Sequence, residues 1–323
     1  MEPCRPLLLL LPLLLCPALA SCEEAALQHH ARRLHEDPMK AEQAAEDLAK
    51  MGEAAGPVLL EATRSPLLDE RRAATRYLTT AYRDGVPPQE VVARLVELME
   101  DPEEPVRLAA MEAVNRHLYG SPQKCRDVLA ETWPPVVPAL MRAAREGEGR
   151  THLSAIGTLG HLAQHRIRTD EIIAFLKGCL DGPDPYVTRA AANALQQVAG
   201  LVGPDLAAPL LDCLGRNVYD GSLAQTLVGT LIGCTREDIE AWFRELDSPK
   251  PLRRAGAAQA TGLAFSQRAG HVIPHLRHAG EALRRLKARQ KVERVEEVRL
   301  RIMDAIGRIE WVRKSVNVMA RPR

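Results

Sequence analysis

The feature that most constrains this chain is that it repeats itself. Residues 101–110 read DPEEPVRLAA and residues 247–256 read DSPKPLRRAG, so Asp, Pro, a branched apolar residue, Arg and Ala recur at matching offsets. A third copy, DGPDPYVTRAAANAL at 181–195, carries one extra residue before Val187. Fainter copies stand at 67–78 (LLDERRAATRYL), 152–159 (HLSAIGTL) and 223–231 (LAQTLVGTL). Successive copies lie about 30 to 45 residues apart, the period of a two-helix unit that cannot bury its apolar face alone and must stack on its neighbours.

Each copy carries its own folding instructions. Asp or Ser just ahead of a Pro-containing first turn supplies an N-cap, and Pro is tolerated there because its missing N–H would have had no helical partner. The Ala-rich helix that follows presents small side chains, which lets neighbouring backbones approach closely. Between the copies, apolar residues spaced i, i+3, i+4 predict a second set of helices: Val91, Val92, Leu95 and Leu98; Val136, Val137, Leu140 and Met141; Ile172, Ile173, Phe175 and Leu176; Leu206, Leu210 and Leu211. No segment alternates strictly enough to predict a strand.

The D-x4-[VL]-R-x-A-[AG] pattern, clearest at Asp101 to Ala110 and Asp247 to Gly256, resembles the HEAT-repeat family, including the short HEAT-like repeats of phycobilisome lyases. The resemblance implies an all-α fold, a right-handed α-solenoid of HEAT-like two-helix repeats, over residues 37–275. It also implies that Asp101, Arg107, Asp247 and Arg253 are structural, joining one repeat to the next. It carries little information about function.

The first residues predict an address. Arg5, the apolar run from Pro6 to Pro17 and the small residues after it follow the order of a secretory signal peptide, and the run is too short to span a bilayer. No later segment reads as long and apolar enough to cross. Ala18-Leu19-Ala20 would allow release at Ser21, whereas Leu19-Ala20-Ser21-Cys22 resembles the bacterial lipobox, which implies a diacylglycerol on the Cys22 thiol. The second reading is preferred: residues 1–21 are removed, 22–36 form a lipid-anchored N-terminal segment, and the chain sits on the periplasmic side of a cell-envelope membrane. A soluble secreted protein is the alternative.

The sequence narrows the chemistry mainly by exclusion. Aromatic residues make up only 3%, too few for sugar platforms or base stacking, and the net charge of +1 gives no global pull toward nucleic acid. Cys125, Cys179, Cys213 and Cys234 contain no C-x-x-C pair, so zinc and thioredoxin chemistry are unsupported. Export permits disulfides among them, and burial as small apolar residues is slightly preferred. His161 and His165, one helical turn apart, are spaced like metal ligands, but Arg166 and Arg168 after them would repel a cation; His271, His275 and His278 are similarly spaced, but Pro274 interrupts or starts the helix that would align them, and with Arg277 they read as an exposed positive edge, so no metal is expected. His29, His30 and His35 read as solvent-facing. No G-x-S-x-G, S-x-x-K or phosphate-binding glycine loop occurs, so neither catalytic residues nor a cofactor is expected.

Residues 277–323 hold 14 Lys or Arg against 6 Asp or Glu. Apolar positions 292, 295, 298, 302 and 306 predict one or two helices with a wet basic face, so residues 276–323 read as basic C-terminal capping helices, with contact to an anionic surface as the sharper reading. The expected function is a lipid-anchored scaffold for a protein or peptide partner, with Arg76, Asn115, Arg116, Asn193, Gln196 and Gln197 on the Ala-rich helices as candidate contact residues. The alternative is a HEAT-like lyase-type enzyme acting on a protein substrate.

Overall fold

The computed structural model describes residues 16–36, 39–83, 85–120, 130–217, 220–235, 239–266 and 278–319, and all regular structure among them is helical. The chain divides into two compact units, Met1–Ser154 and Ala155–Arg323. Within each, helices of two kinds alternate: an A helix with an apolar face, then a B helix that opens on the repeated motif.

Unit 1 contains α1 (Cys16–Glu36) paired with α2 (Ala41–Lys50), α3 (Gly56–Ala62) with α4 (Leu68–Tyr77), and α5 (Gln89–Leu98) with α6 (Glu104–Gly120), then α7 (Val136–Glu146). The B helices α2, α4 and α6 pack side by side in that order. The division falls within α8 (Gly149–Gln164). Unit 2 pairs α9 (Thr169–Leu180) with α10 (Pro185–Val202), α11 (Ala207–Arg216) with α12 (Gly221–Thr235), α13 (Ile239–Glu245) with α14 (Pro251–Ser266), and α15 (Ala279–Val292) with α16 (Glu296–Met319). There α10 packs on α12, and α14 on α16. This is the all-α repeat architecture that the sequence predicts.

The apolar spacings predicted for the A helices form the core: Val91, Val92, Leu95, Leu98, Val136, Val137, Leu140, Ile172, Leu176, Leu210 and Leu211 are all buried, while Phe175 is half-buried. On the B helices the Ala pairs Ala73–Ala74, Ala109–Ala110 and Ala191–Ala192 are fully enclosed. Small side chains there bring successive B helices close, so dispersion contacts are made by backbone as well as side chain.

Arginine ties the repeats together. Arg71 donates to the carbonyl six residues back, Ser65 O (2.8 Å), and through Nε and Nη2 to the Asp101 carboxylate in the next repeat's turn (3.0 and 3.3 Å). Arg107 likewise reaches back to Asp101 O (2.7 Å). Arg254 reaches back to Ser248 O (2.9 Å) and forward to Glu293 (2.7 and 2.9 Å). Arg189 pairs forward with Asp220. The acceptors also cap: Asp101, Asp220 and Glu293 each accept the backbone N–H two residues on, leaving fewer orphaned donors at the helix start.

This geometry corrects the register of the 247–256 copy by one residue. Ser248 and Arg254, not Asp247 and Arg253, occupy the places of Asp101 and Arg107. Arg253 instead grips Asp212 of α11 at 2.9 and 2.6 Å. Two consecutive arginines hide the shift, because either can be aligned to the motif when only residue type is read.

Residues 185–216 overturn the expectation that no segment after the first twenty residues is apolar enough to cross a membrane: Pro185–Arg216 passes by length and composition. Its apolarity is accounted for by packing. It comprises α10, a 3-10 turn at Gly203–Leu206 and α11, and Ala191, Leu195, Val198, Leu210, Leu211 and Leu214 are buried.

The C-terminal apolar stripe also shifts. Val298, Ile302, Ala305, Ile306 and Ile309 are buried on α16, which packs on α14, whereas Val292 is exposed at the end of α15 and Val295 in the turn after it. Glu293 leaves helical geometry there (φ −72°, ψ 125°) to serve as the acid of that turn.

Candidate functional site

In unit 1 the polar, half-buried stripes of three B helices lie side by side. On α6, Glu112, Asn115, Arg116 and Tyr119 fall at i, i+3, i+4 and i+7, one face of a helix. Beside them α4 ends in the 3-10 segment Leu78–Tyr82, fastened to α6 by the buried Thr79 hydroxyl, which donates to Ala113 O at 2.7 Å. On α2, Glu42, Glu46 and Lys50 repeat at every fourth residue.

Charge links these stripes. Arg76 bonds Glu42 of α2 at 2.6 Å and Glu112 of α6 at 2.9 Å, and Glu112 also holds Arg116 at 2.7 Å. Arg116 then lies over the Tyr77 ring, 4.9 Å from its centroid, a cation–π distance. Burial works to lower the Arg76 pKa, but the bonds and charges of Glu42 and Glu112 prevail and raise it. The Tyr77 phenol is pushed up by burial first and by Glu42 and Glu46 after it. Both groups therefore stay in their ordinary states, one cationic and one neutral, across the working pH range.

Between the stripes runs an open groove of about 700 Å³, lined by Tyr77, Thr79, Thr80, Asn115, Arg116 and Tyr119 and flanked by Glu46 and Lys50. The Tyr119 ring is 70% exposed, and the Thr80 hydroxyl is buried without a hydrogen-bond partner among the described residues. An amide, two phenols, hydroxyls and both signs of charge make a surface that can bond a peptide backbone and seat side chains.

The sequence-predicted contact residues separate into two groups. Asn115 and Arg116 line the groove, and Arg76 sits beneath it in the ion-pair chain. Asn193, Gln196 and Gln197 are exposed on α10 of unit 2, where Gln196 lies across α12 at Gly229. Sequence reading passes over Tyr77, Glu112 and Tyr119. A polar and aromatic stripe through Asn115 at helical spacing is the signal that points to the last two, whereas Tyr77 joins them only through the packing of α4 on α6.

Cys22 is exposed on α1. Cys179 is half-buried and Cys213 and Cys234 are buried, all as free thiols, and burial pushes both buried thiols up to about 11. Cys125, His271, His275 and Arg277 lie outside the described residues. His161 lies in α8 with His165 just past its end, and its pKa is lowered by burial and then by His165. His29 and His35 are exposed, whereas His30 is half-buried on α1. Among the described residues no three His, Cys, Asp or Glu side chains are placed to hold a metal ion.

No described protein family and no curated protein matches the sequence. Solved structures do. The karyopherin Kap95p, in a structure concerned with its binding of RanGDP, aligns with a TM-score of 0.56 at 14% identity over 90% of this chain and 40% of that one. Kap121p bound to the extreme C-terminus of the phosphatase Cdc14p aligns with a TM-score of 0.51 at 15% identity, over 90% and 37%. The fold is that of the helical-repeat solenoids. A designed armadillo repeat protein aligns over 78% of this chain and 99% of its own at 17% identity, with a TM-score of 0.36. This chain spans about two fifths of the karyopherins it resembles.

Proposed function

We propose that the chain is a binding scaffold that does no chemistry on its ligand: the unit 1 groove holds an extended segment of a protein partner, and a lipid on Cys22 tethers the molecule to a cell-envelope membrane. The observation that carries the reading is the convergence of Tyr77, Asn115, Arg116 and Tyr119 on one open groove built by rigid helices. An open groove of mixed polarity suits a peptide chain better than a small reactant, which needs enclosure. The association of Kap95p with RanGDP and of Kap121p with a Cdc14p terminus supports the same use of the architecture.

For the tether, the support is Leu19-Ala20-Ser21-Cys22 and the exposure of Cys22. Two acyl chains on one residue give stable anchoring, which one chain does not. Since α1 is already helical at Cys22, no flexible spacer follows the lipid, and the body lies close to the bilayer.

Selection of displayed random peptides on the purified protein tests the groove. The expected result is an enriched sequence class whose binding falls at least about tenfold in Asn115→Ala and Tyr119→Ala, in keeping with loss of about 1.4 kcal/mol or more of contact. Enrichment that ignores both substitutions would sink the groove reading. Mass spectrometry of the mature N-terminus tests the tether separately: a diacylglyceryl-modified Cys22 is expected, and an unmodified Ser21 terminus rules it out.

A further inference from the structure

The last B helix of unit 2 has two apolar faces. One, through Val298, Ile302, Ala305 and Ile309, is buried against α14. The other, through Leu300 (53% exposed), Met303 (49%), Gly307 and Trp311 (68%), faces outward at spacings of three, four and four residues. That spacing keeps the four on one face of the helix, and large apolar side chains aligned on a surface mark an interaction site. What would cover the seam is written in the charges beside it. Glu296 and Glu297 open the helix, and Arg308, Arg313 and Lys314 crowd its later turns, so the exposed face is acidic at one end and basic at the other.

We propose that α16 docks on α16 of a second copy of this chain, antiparallel, about a twofold axis. A twofold brings like flanks together with their direction reversed. One register then satisfies every pair at once: Leu300 meets the second copy's Trp311, Met303 meets its Gly307, Glu296 meets its Lys314, Arg299 meets its Glu310, and Asp304 meets its Arg308. Gly307 lies mid-seam with open space where a Cβ would stand, so the facing Met303 has room to seat. Within one copy Arg299 already pairs with Glu296 (2.7 Å), Lys287 with Glu310 (2.7 Å) and Arg308 with Asp304 (2.7 Å). Docking therefore extends these pairs into networks across the seam.

An anionic membrane is the weaker occupant. Glu296, Asp304 and Glu310 sit within or beside the apolar stripe and would be pressed against lipid phosphates, whereas a reversed copy meets each with a cation. A single helix pair buries less than a standard-size interface, so the association belongs to the transient class.

Sedimentation velocity on the full chain across a concentration series tests this. A monomer–dimer equilibrium is expected, weakened about a hundredfold by Trp311→Glu, which removes two buried aromatic anchors per dimer. Lys314→Glu is expected to weaken it about fivefold, and adding Glu296→Lys to that variant is expected to restore it, because the swapped pair is again complementary. Circular dichroism checks that each variant remains folded. A wild-type chain that stays monomeric at several hundred micromolar overturns the proposal, as does failure of the double exchange to restore dimers. Pelleting of that monomer with phosphatidylglycerol vesicles would assign the face to lipid instead.

Discussion

Arginine clasps tie repeats in both units, and the units differ in what lies beside those clasps. In unit 1 the B helices are linked across exposed faces by Glu42, Arg76, Glu112 and Arg116, and a groove survives between them. In unit 2 the helices meet backbone to backbone. A Cβ on Gly215 would fall on the Leu252 carbonyl, one on Gly256 on the Leu211 carbonyl, and one on Gly262 within 2.8 Å of Ala305 Cα. In unit 1 a polar groove lies beside the ion-paired helices, whereas in unit 2 glycines let helix backbones meet with no side chain between them. Repeats from one chain thus divide into those that present a face and those that hold a shape.

Substitutions can break that contrast, and the largest effect is expected at Arg254. Its guanidinium is 8% exposed and the Glu293 carboxylate 1%, so Arg254→Ala leaves a buried anion with only Arg289 and the Val295 N–H as partners and is expected to cost about 3 kcal/mol in denaturant unfolding of unit 2. Acid acts on the same pair. The Arg254 bond, opposed by burial and aided by the Val295 N–H and Arg289, holds Glu293 down at about 2, against 4.5 without these contacts. Its stabilisation is whole above pH 4.5 and is lost as pH falls from there to 2, a change of about 3 kcal/mol. In Arg254→Ala that slope in an acid titration of stability should flatten.

Next in size is Gly256→Ala. Alanine would gain about 1 kcal/mol as a helix former, but its methyl meets a backbone carbonyl that cannot move alone, so a net loss of about 1–3 kcal/mol is expected in thermal unfolding. A net gain would show that the close approach is not needed. The smallest stability effect is expected from Glu112→Gln in unit 1, about 0.5–1 kcal/mol, since that carboxylate is 45% exposed and solvent screens its pairs. Its effect on peptide binding should be larger than its effect on stability, because Arg116 loses the partner that holds it over Tyr77.

Periodic features are legible in the sequence itself. Val91, Val92, Leu95 and Leu98 announce an A helix because burial needs one face only, and Arg71, Arg107 and Arg189 with their Ala pairs announce B helices because close packing demands small residues at fixed offsets. The reading failed where residue type and role part company. Arg253 and Arg254 are interchangeable on paper, yet only one lies above the Ser248 carbonyl. The run 185–216 is as apolar as a membrane span because Ala and Leu serve tight packing and lipid alike. The groove was half legible. Asn115 and Arg116 stand out as polar residues on an Ala-rich helix, but Arg76 gives no sign of being spoken for by two carboxylates, one from each neighbouring helix.

The arginine that bonds its own turn and the next one has a mechanical meaning. Arg71 and Arg254 each span a single joint between adjacent repeats. When such a joint opens, the clasp is stripped from one side of the turn while the capping bonds of Asp101 or Glu293 stay in place. A repeat so detached keeps a prepared helix start and closes on its neighbour again without searching for its register.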